Sequence, residues 1–192
     1  MNPQPIRVGF IGYSGCGKDT AAIRLIQNGF MKVCFGDIIK QQVDALVLEH
    51  FGFSALTEKR KEKEQIRGLL EAWGDLNYEA ITEEFFCDLP PLAVNTRVAR
   101  PEEAQEWNRL GGILICIRRP FINPATSWEA ESLQRLYSEC RVQIHHIDNS
   151  HDELHLHDLV DATVLRMFPS YAHVLRVPRI PADEVLRRFM AE

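Results

Sequence analysis

The sequence predicts an α/β protein, a parallel sheet covered by helices on both faces. Three observations carry this. Five short apolar segments read as strands, at Arg7–Ile11, Met31–Phe35, Leu92–Asn95, Ile113–Ile117 and Val142–Ile147. Helical patterns of about 10–15 residues separate the later ones, the rhythm of repeated strand–helix–strand units. The run Ile113-Leu-Ile-Cys-Ile117 is apolar throughout rather than alternating, as a strand buried on both faces requires.

The first helix is expected over Lys18–Gln27, closed by Asn28-Gly29. A longer segment, Asp37 to Pro91, interrupts the strand–helix rhythm. Its apolar positions Ile38, Ile39, Val43, Leu46 and Val47 recur at helical spacing, as do Ile66, Leu69, Leu70 and Trp73. Within it Glu58–Arg67 carries eight charged residues in ten. The plain reading is a solvated helix face with Glu–Lys pairs; the functional one is a set of cations meeting an anionic substrate. Pro90-Pro91 returns the chain to the sheet. The clearest helix is Pro101–Leu110, with proline at its start, acids in the first turn, Arg109 near the end and Gly111-Gly112 as the stop.

The 192 residues suit one domain over 1–192, and a 45% hydrophobic content with ten Phe and three Trp gives it a sizeable core. Lys and Arg number 22 against 27 Asp and Glu, a net charge of −5, which argues against a nucleic-acid partner. No apolar run approaches the ~18–20 residues of a membrane span, so no membrane partner is expected. The opening MNPQPIRVGFIG lacks the pattern of a secretory leader, and the expected location is cytoplasmic. Cys16, Cys34, Cys87, Cys116 and Cys140 are odd in number and form no C-x-x-C pair, so reduced thiols are expected.

The decisive residues are Gly12, Tyr13, Ser14, Gly15, Cys16, Gly17, Lys18, Asp19 and Thr20, which follow a strand and open a helix. This is G-x-x-G-x-G-K-x-T in the setting that a phosphate-binding loop (P-loop) needs. Glycines allow the backbone to turn tightly so that its N–H groups converge on phosphate oxygens. Lys18 would reach the terminal phosphates and neutralise charge during transfer. The fold class sharpens to a P-loop NTPase, a three-layer αβα sandwich around a five-stranded parallel sheet.

Thr20 follows Lys18 by two positions rather than one, and this spacing resembles nucleoside monophosphate kinases. The Gly-Lys-Asp-Thr form is similar to the bacteriophage and bacterial deoxynucleoside monophosphate kinases. The likeness extends over about Val8 to Val160. Phe35-Gly-Asp-Ile-Ile-Lys40 resembles the segment where a basic residue approaches the acceptor monophosphate, which points to Lys40. Arg67-Gly-Leu-Leu-Glu-Ala-Trp-Gly74 resembles the Arg-x-Leu-x-Gln-x-x-Gly stretch that helps bind the acceptor, with Arg67 and Glu71 at the matching positions. Asn95-Thr-Arg97 resembles an Asp-x-Arg motif, and ILICIRRP matches the fourth strand and the Arg-Pro opening the lid. Asp148-Asn149-Ser150 resembles a turn near the adenine, which points to Asn149.

The resemblance implies ATP and Mg²⁺ as cofactors, with Thr20 and Asp37 as metal ligands, and Asp37, Lys40, Arg67 and Glu71 as acceptor-binding residues. It implies a helical acceptor insertion at 37–91 and a short lid at 118–130. Lys18, Arg97, Arg118 and Arg119 are the expected catalytic cations, because phosphoryl transfer needs positioning and positive charge more than an acid or base. The expected activity is conversion of (deoxy)nucleoside monophosphates to diphosphates, and the expected partner is the small-molecule monophosphate; a homodimer is an allowed assembly. Two departures stand out: Asn95 replaces the Asp of Asp-x-Arg, and the lid motif His-x-Ser-Glu is reduced to Trp128-Glu-Ala-Glu131. A P-loop regulatory protein with little turnover therefore stands as an alternative, as does a kinase of another small acceptor, of the dephospho-coenzyme A or phosphomevalonate kind. His145, His146, His151, His155 and His157 crowd together, and an i,i+4 pair can bind metal, but no H-E-x-x-H pattern accompanies them.

Overall fold

The computed structural model describes residues 5–175. The ends of the 1–192 span, and the first four residues of the segment read for a leader, lie outside the described residues. Two compact units emerge: the residues up to Lys32 joined with those from Pro90 on, and Val33–Leu89 between them.

The first unit is built on a sheet of order β2-β3-β1-β4-β5. Strand β1 (Ile6–Ile11) lies between β3 (Leu92–Asn95) and β4 (Ile113–Arg118), with β5 (Ile144–Asp148) at one edge and β2 (Met31–Val33) at the other. The pairs β1–β3, β1–β4 and β4–β5 are parallel, with Val8 opposite Val94 on one side and Ile113 on the other. Parallel pairing buries both faces, which explains the unbroken apolar runs. One face carries Val8, Phe10, Ile113, Ile115 and Ile117 against Ala21, Ala22 and Leu25 of helix α1 (Lys18–Gln27) and Leu156, Val160 and Val164 of helix α7 (Glu153–Met167). Helix α5 (Pro101–Arg109) buries Trp107, and helix α6 (Ser127–Glu139) buries Leu136.

The second unit is helical: α2 (Phe35–Phe51), α3 (Arg60–Leu76) and α4 (Tyr78–Cys87). Val43, Val47, Ala55 and Ile66 form its core, with Leu69, Leu70 and Trp73 packed against them. The charged run in Glu58–Arg67 is a solvated face with Lys59–Glu62, Arg60–Glu64 and Lys63–Glu58 ion pairs.

Several element boundaries differ from the sequence reading. Phe35 begins α2 instead of ending β2; its ring packs on Tyr78 and Phe85 at centroid distances of 5.6 and 5.8 Å. Strand β4 continues to Arg118, and β5 starts at Ile144, two residues after Val142. Helix α6 starts at Ser127, inside the 118–130 span read as a short lid, because Thr126 caps it by accepting from Glu129 N–H. His151 precedes α7, whose cap is Asp152.

Candidate active site

The Gly12–Thr20 loop leaves the C-terminal end of β1, where the chain runs from β1 to β2 on one side and from β3 across β1 to β4 on the other. Open α/β sheets bind ligands at such a switch point. Gly12 has φ +136° and lies against the Ile117 carbonyl, where any Cβ would collide. Gly17 has φ +106°, and a Cβ there would strike the Asn149 amide. Both positions require glycine sterically as well as conformationally.

Asn149 fixes this geometry from behind. Its Nδ2 donates to the Cys16 carbonyl at 2.9 Å, and its backbone N–H donates to the Arg118 carbonyl at 2.7 Å. One buried residue, just past β5, thus ties the loop through its side chain and the end of β4 through its backbone. Cys16 is buried as well; burial pushes its thiol upward, outweighing the charge and hydrogen bond at Lys18 that pull it down, so the sulfur stays protonated.

Lys18 Nζ donates to the Gly12 and Tyr13 carbonyls, at 2.7 Å each, and lies 3.9 Å from Cys16 Sγ. The Ser14 N–H donates to Glu129 Oε1 at 2.6 Å. Thr20 lies in the first turn of α1; its carbonyl accepts from His157 Nε2 at 3.0 Å, which fixes the proton on that nitrogen. Asp19 is exposed in the first turn of α1.

The expected cations are held differently from one another. Arg97 follows β3, and its guanidinium carbon lies 5.1 Å from the Trp128 ring centroid, a cation–π arrangement. Its backbone N–H donates to Asn95 Oδ1 at 2.9 Å, so Asn95 shapes the turn that presents Arg97. Arg118 lies over the Tyr137 ring at 5.7 Å, with Nη2 donating to the Tyr137 hydroxyl at 3.3 Å. That hydroxyl donates to Cys116 Sγ at 3.0 Å; burial first, then this bond, pushes its pKa up to about 12. Arg119 is exposed in the turn that follows β4.

Asp37, Lys40, Arg67 and Glu71 belong to the helical unit. Lys40 Nζ donates to Asp37 Oδ1 at 2.7 Å. Burial opposes the Lys40 charge, but the bond and charge of Asp37 prevail and raise its pKa. Arg67 and Glu71 are exposed at i,i+4 spacing on α3.

The loop fits a polyphosphate, since a carboxylate oxygen already takes one of its amides. No group of three or more His, Cys, Asp or Glu residues gathers into a metal site among the described residues. Mg²⁺ would need none where phosphates and water supply most of its ligands, and the Thr20 hydroxyl is the loop side chain that would meet it. The histidines of this stretch do not share one site. His145 is buried in β5, His151 and His155 meet edge to face at 4.7 Å, and His157 serves Thr20.

Glu129 was missing from the residues singled out in the sequence. Its signal was present, however: Thr126-Ser-Trp-Glu129 is the S/T-x-x-E pattern of a helix start.

No protein-family model matches the chain, and no curated protein sequence matches it. Among solved structures it is similar to shikimate kinase from Acinetobacter baumannii in complex with shikimate, at 11% identity and TM-score 0.49 over 87% of this chain and 94% of that chain. It is also similar to a gluconokinase from Sinorhizobium meliloti 1021, at 12% identity and TM-score 0.49 over 88% and 97%. A sugar kinase from Janibacter sp. HTCC2649 shows 15% identity and TM-score 0.46 over 88% and 98%. Likenesses this distant carry no substrate across. The strand order and the loop after the central strand make this an α/β fold with a P-loop.

Proposed function

We propose that this chain is an ATP-dependent phosphotransferase converting (deoxy)nucleoside monophosphates to diphosphates. The observation that carries the reading is the hydrogen bond from Ser14 N–H to a Glu129 carboxylate oxygen. An amide of the glycine loop acts as an anion receptor, at the sheet's binding end and beside the N-terminus of α1. ATP phosphates match that chemistry, and Lys18 exchanges its two carbonyl partners for phosphate oxygens.

Arg97, Arg118 and Arg119 supply positive charge where negative charge spreads during transfer. Lys40 and Arg67, with Asp37 and Glu71, bind the acceptor from the helical unit, and residues 118–130 form the lid that excludes water. Mg²⁺ would offset the charge of the triphosphate, and Thr20 and Asp37 are the side chains proposed as its protein ligands. Support for a nucleoside monophosphate as acceptor comes from the Gly-Lys-Asp-Thr spacing and the Arg67–Gly74 stretch.

A second reading is a nucleotide-binding regulator with little turnover. Asn95 favours it: an uncharged amide, buried and bonded to Arg97 N–H, stands where the resembled family carries a carboxylate. Both readings are tested by ADP formation from ATP with a panel of ribo- and deoxyribonucleoside monophosphates, dephospho-coenzyme A and phosphomevalonate. Turnover with a monophosphate, lost in Lys18→Ala, supports the kinase. ATP binding without turnover on any acceptor selects the regulator, and absence of ATP binding overturns both.

A further inference from the structure

We propose that Trp128 and Glu129 form a latch that competes with the nucleotide for the phosphate loop, so that ATP binds only after the first turn of α6 swings away. The inference rests on the nucleotide-binding reading above and concerns the regulation of that same site.

Three observations converge. Glu129 bridges two backbone donors, taking Ser14 N–H on Oε1 at 2.6 Å and Ala125 N–H on Oε2 at 2.7 Å. A capping glutamate normally returns to the start of its own helix, and the Ala125 bond does that. The second oxygen reaches a loop 115 residues away in sequence, which the helix start does not require. Next, the neighbouring Trp128 holds Arg97 beneath its ring. One helical turn therefore engages both an anion-binding amide and an arginine placed for phosphate. Finally, Lys18 is folded onto the Gly12 and Tyr13 carbonyls. The loop's own ammonium is satisfied internally while the carboxylate holds Ser14.

The competition is physical. The Ser14 N–H has one proton to give, and a carboxylate oxygen and a phosphate oxygen cannot both lie in line with it. The Glu129 charge also repels an incoming polyanion. The segment leading into α6 suits movement: Phe121 has φ +63° and its side chain is wholly exposed, between Pro120 and Pro124. When a protein must open before binding, the apparent dissociation constant rises by the inverse of the open fraction. A charge-assisted bond of this kind corresponds to on the order of a tenfold change in affinity.

The test is calorimetric titration of Mg²⁺–ATP into the full chain and into Glu129→Gln, Glu129→Ala, Trp128→Ala and the Trp128→Ala/Glu129→Gln double variant, each checked for folding by circular dichroism. The Gln variant keeps a neutral carbonyl for Ala125 N–H, so it preserves the start of α6 if the Ala variant does not fold. Both Glu129 variants should bind ATP roughly tenfold more tightly, and the Ser14 amide resonance should move in Glu129→Gln before any nucleotide is added. The double variant should gain less than the product of the singles, because one movement releases both contacts. If the full chain binds ATP and the Glu129 variants bind equally or more weakly, the latch is overturned while the nucleotide reading stands. A stationary Ser14 resonance, or strictly multiplicative gains, overturns it as well. If neither the full chain nor any variant binds ATP, the proposed function itself fails.

Discussion

Arg24 donates to one oxygen of Asp161 through both Nε and Nη2, at 2.7 and 2.6 Å, joining α1 to α7 on the side of the sheet below the phosphate loop. The Tyr171 hydroxyl donates to the other Asp161 oxygen at 3.2 Å and accepts from Asn28 Nδ2 at 2.9 Å. Both charges are buried, so their desolvation is offset only while the whole network stays intact.

Removing one partner should therefore cost more than removing both. Asp161→Ala strands a buried guanidinium and is expected to lower unfolding free energy by about 3–5 kcal/mol. Arg24→Met with Asp161→Leu should recover most of that loss, since an apolar pair leaves no charge unpaired. Urea denaturation of the two variants measures the difference. Equal destabilisation of single and double variants would show that the network contributes packing rather than charge compensation.

Glu103 supplies a prediction about pH. It is buried at the start of α5, where its Oε2 accepts from Ala99 N–H at 2.9 Å. Burial raises its pKa to about 7, against backbone hydrogen bonds from Ala99 and Arg100 and the charges of Arg100 and Arg97, which lower it. The folded chain therefore holds this proton more tightly than the unfolded chain, whose carboxyl titrates near 4.5. Stability from this group is fully present below the unfolded pKa, falls as pH rises toward 7, and levels off above it. The span corresponds to roughly 3 kcal/mol. Subtracting the melting curve of Glu103→Gln from that of the unaltered chain, pH by pH, should isolate this slope; a flat difference would show the carboxyl titrates normally.

The acceptor residues make a kinetic prediction. Truncating Lys40 or Arg67 to Ala should raise the acceptor KM on the order of tenfold or more while ATP affinity changes little, because in the proposed function each meets only the acceptor. Asp37→Ala should act in the same direction on Lys40, whose ammonium it holds at 2.7 Å. Initial-rate measurements with each substrate varied separately decide it. Equal losses of ATP affinity would mean that these residues serve the donor side.

Much of this molecule can be read from its sequence, and the reasons differ by element. Helix α5 was legible because its start and stop carry their own chemistry: Pro101 at the first position, Glu102 and Glu103 in the first turn, and Gly111 at φ +78° just past the end. Helix α1 matched to the residue, since the loop glycines and Asn28-Gly29 bracket it. The join between β2 and α2 was not legible. Met31 to Phe35 is a mostly apolar run with no glycine or proline to break it, and only tertiary packing on Tyr78 and Phe85 assigns Phe35 to the helix. Helices α3 and α4 begin without a side-chain cap, which left their boundaries unmarked. At the candidate site the loop and Lys18 were visible through local pattern, whereas Asn149 was singled out only by resemblance, as a residue near the adenine, and its bond to the Cys16 carbonyl was not foreseen. Nor was the Glu129–Ser14 contact, because sequence spacing says nothing about which distant amide a helix-start carboxylate will reach.

The two arginines of the proposed lid give the last prediction, and their surroundings differ. Arg118 is engaged by Tyr137 through its guanidinium, both over the ring and by a hydrogen bond to the hydroxyl, and that hydroxyl is itself tied to Cys116. Moving Arg118 into the phosphate site would break those contacts. Arg119 is exposed one residue further along, at the start of the irregular stretch that ends at Thr126. Arg119→Ala is therefore expected to lower kcat the more strongly, on the order of a hundredfold, with little change in ATP affinity, since the charge it would stabilise is greatest during transfer. Arg118→Ala should lower kcat less, and Tyr137→Phe should leave kcat near that of the unaltered chain. Single-turnover rates with saturating ATP and acceptor measure all three. The companion measurement is amide hydrogen exchange over residues 118–130, which should slow when both substrates are present, because a closing lid gains contacts that protect its backbone. If both arginine variants turn over at the original rate, or if exchange is the same with and without substrates, the segment is a surface loop and the positive charge for transfer comes from Lys18 and Arg97 alone.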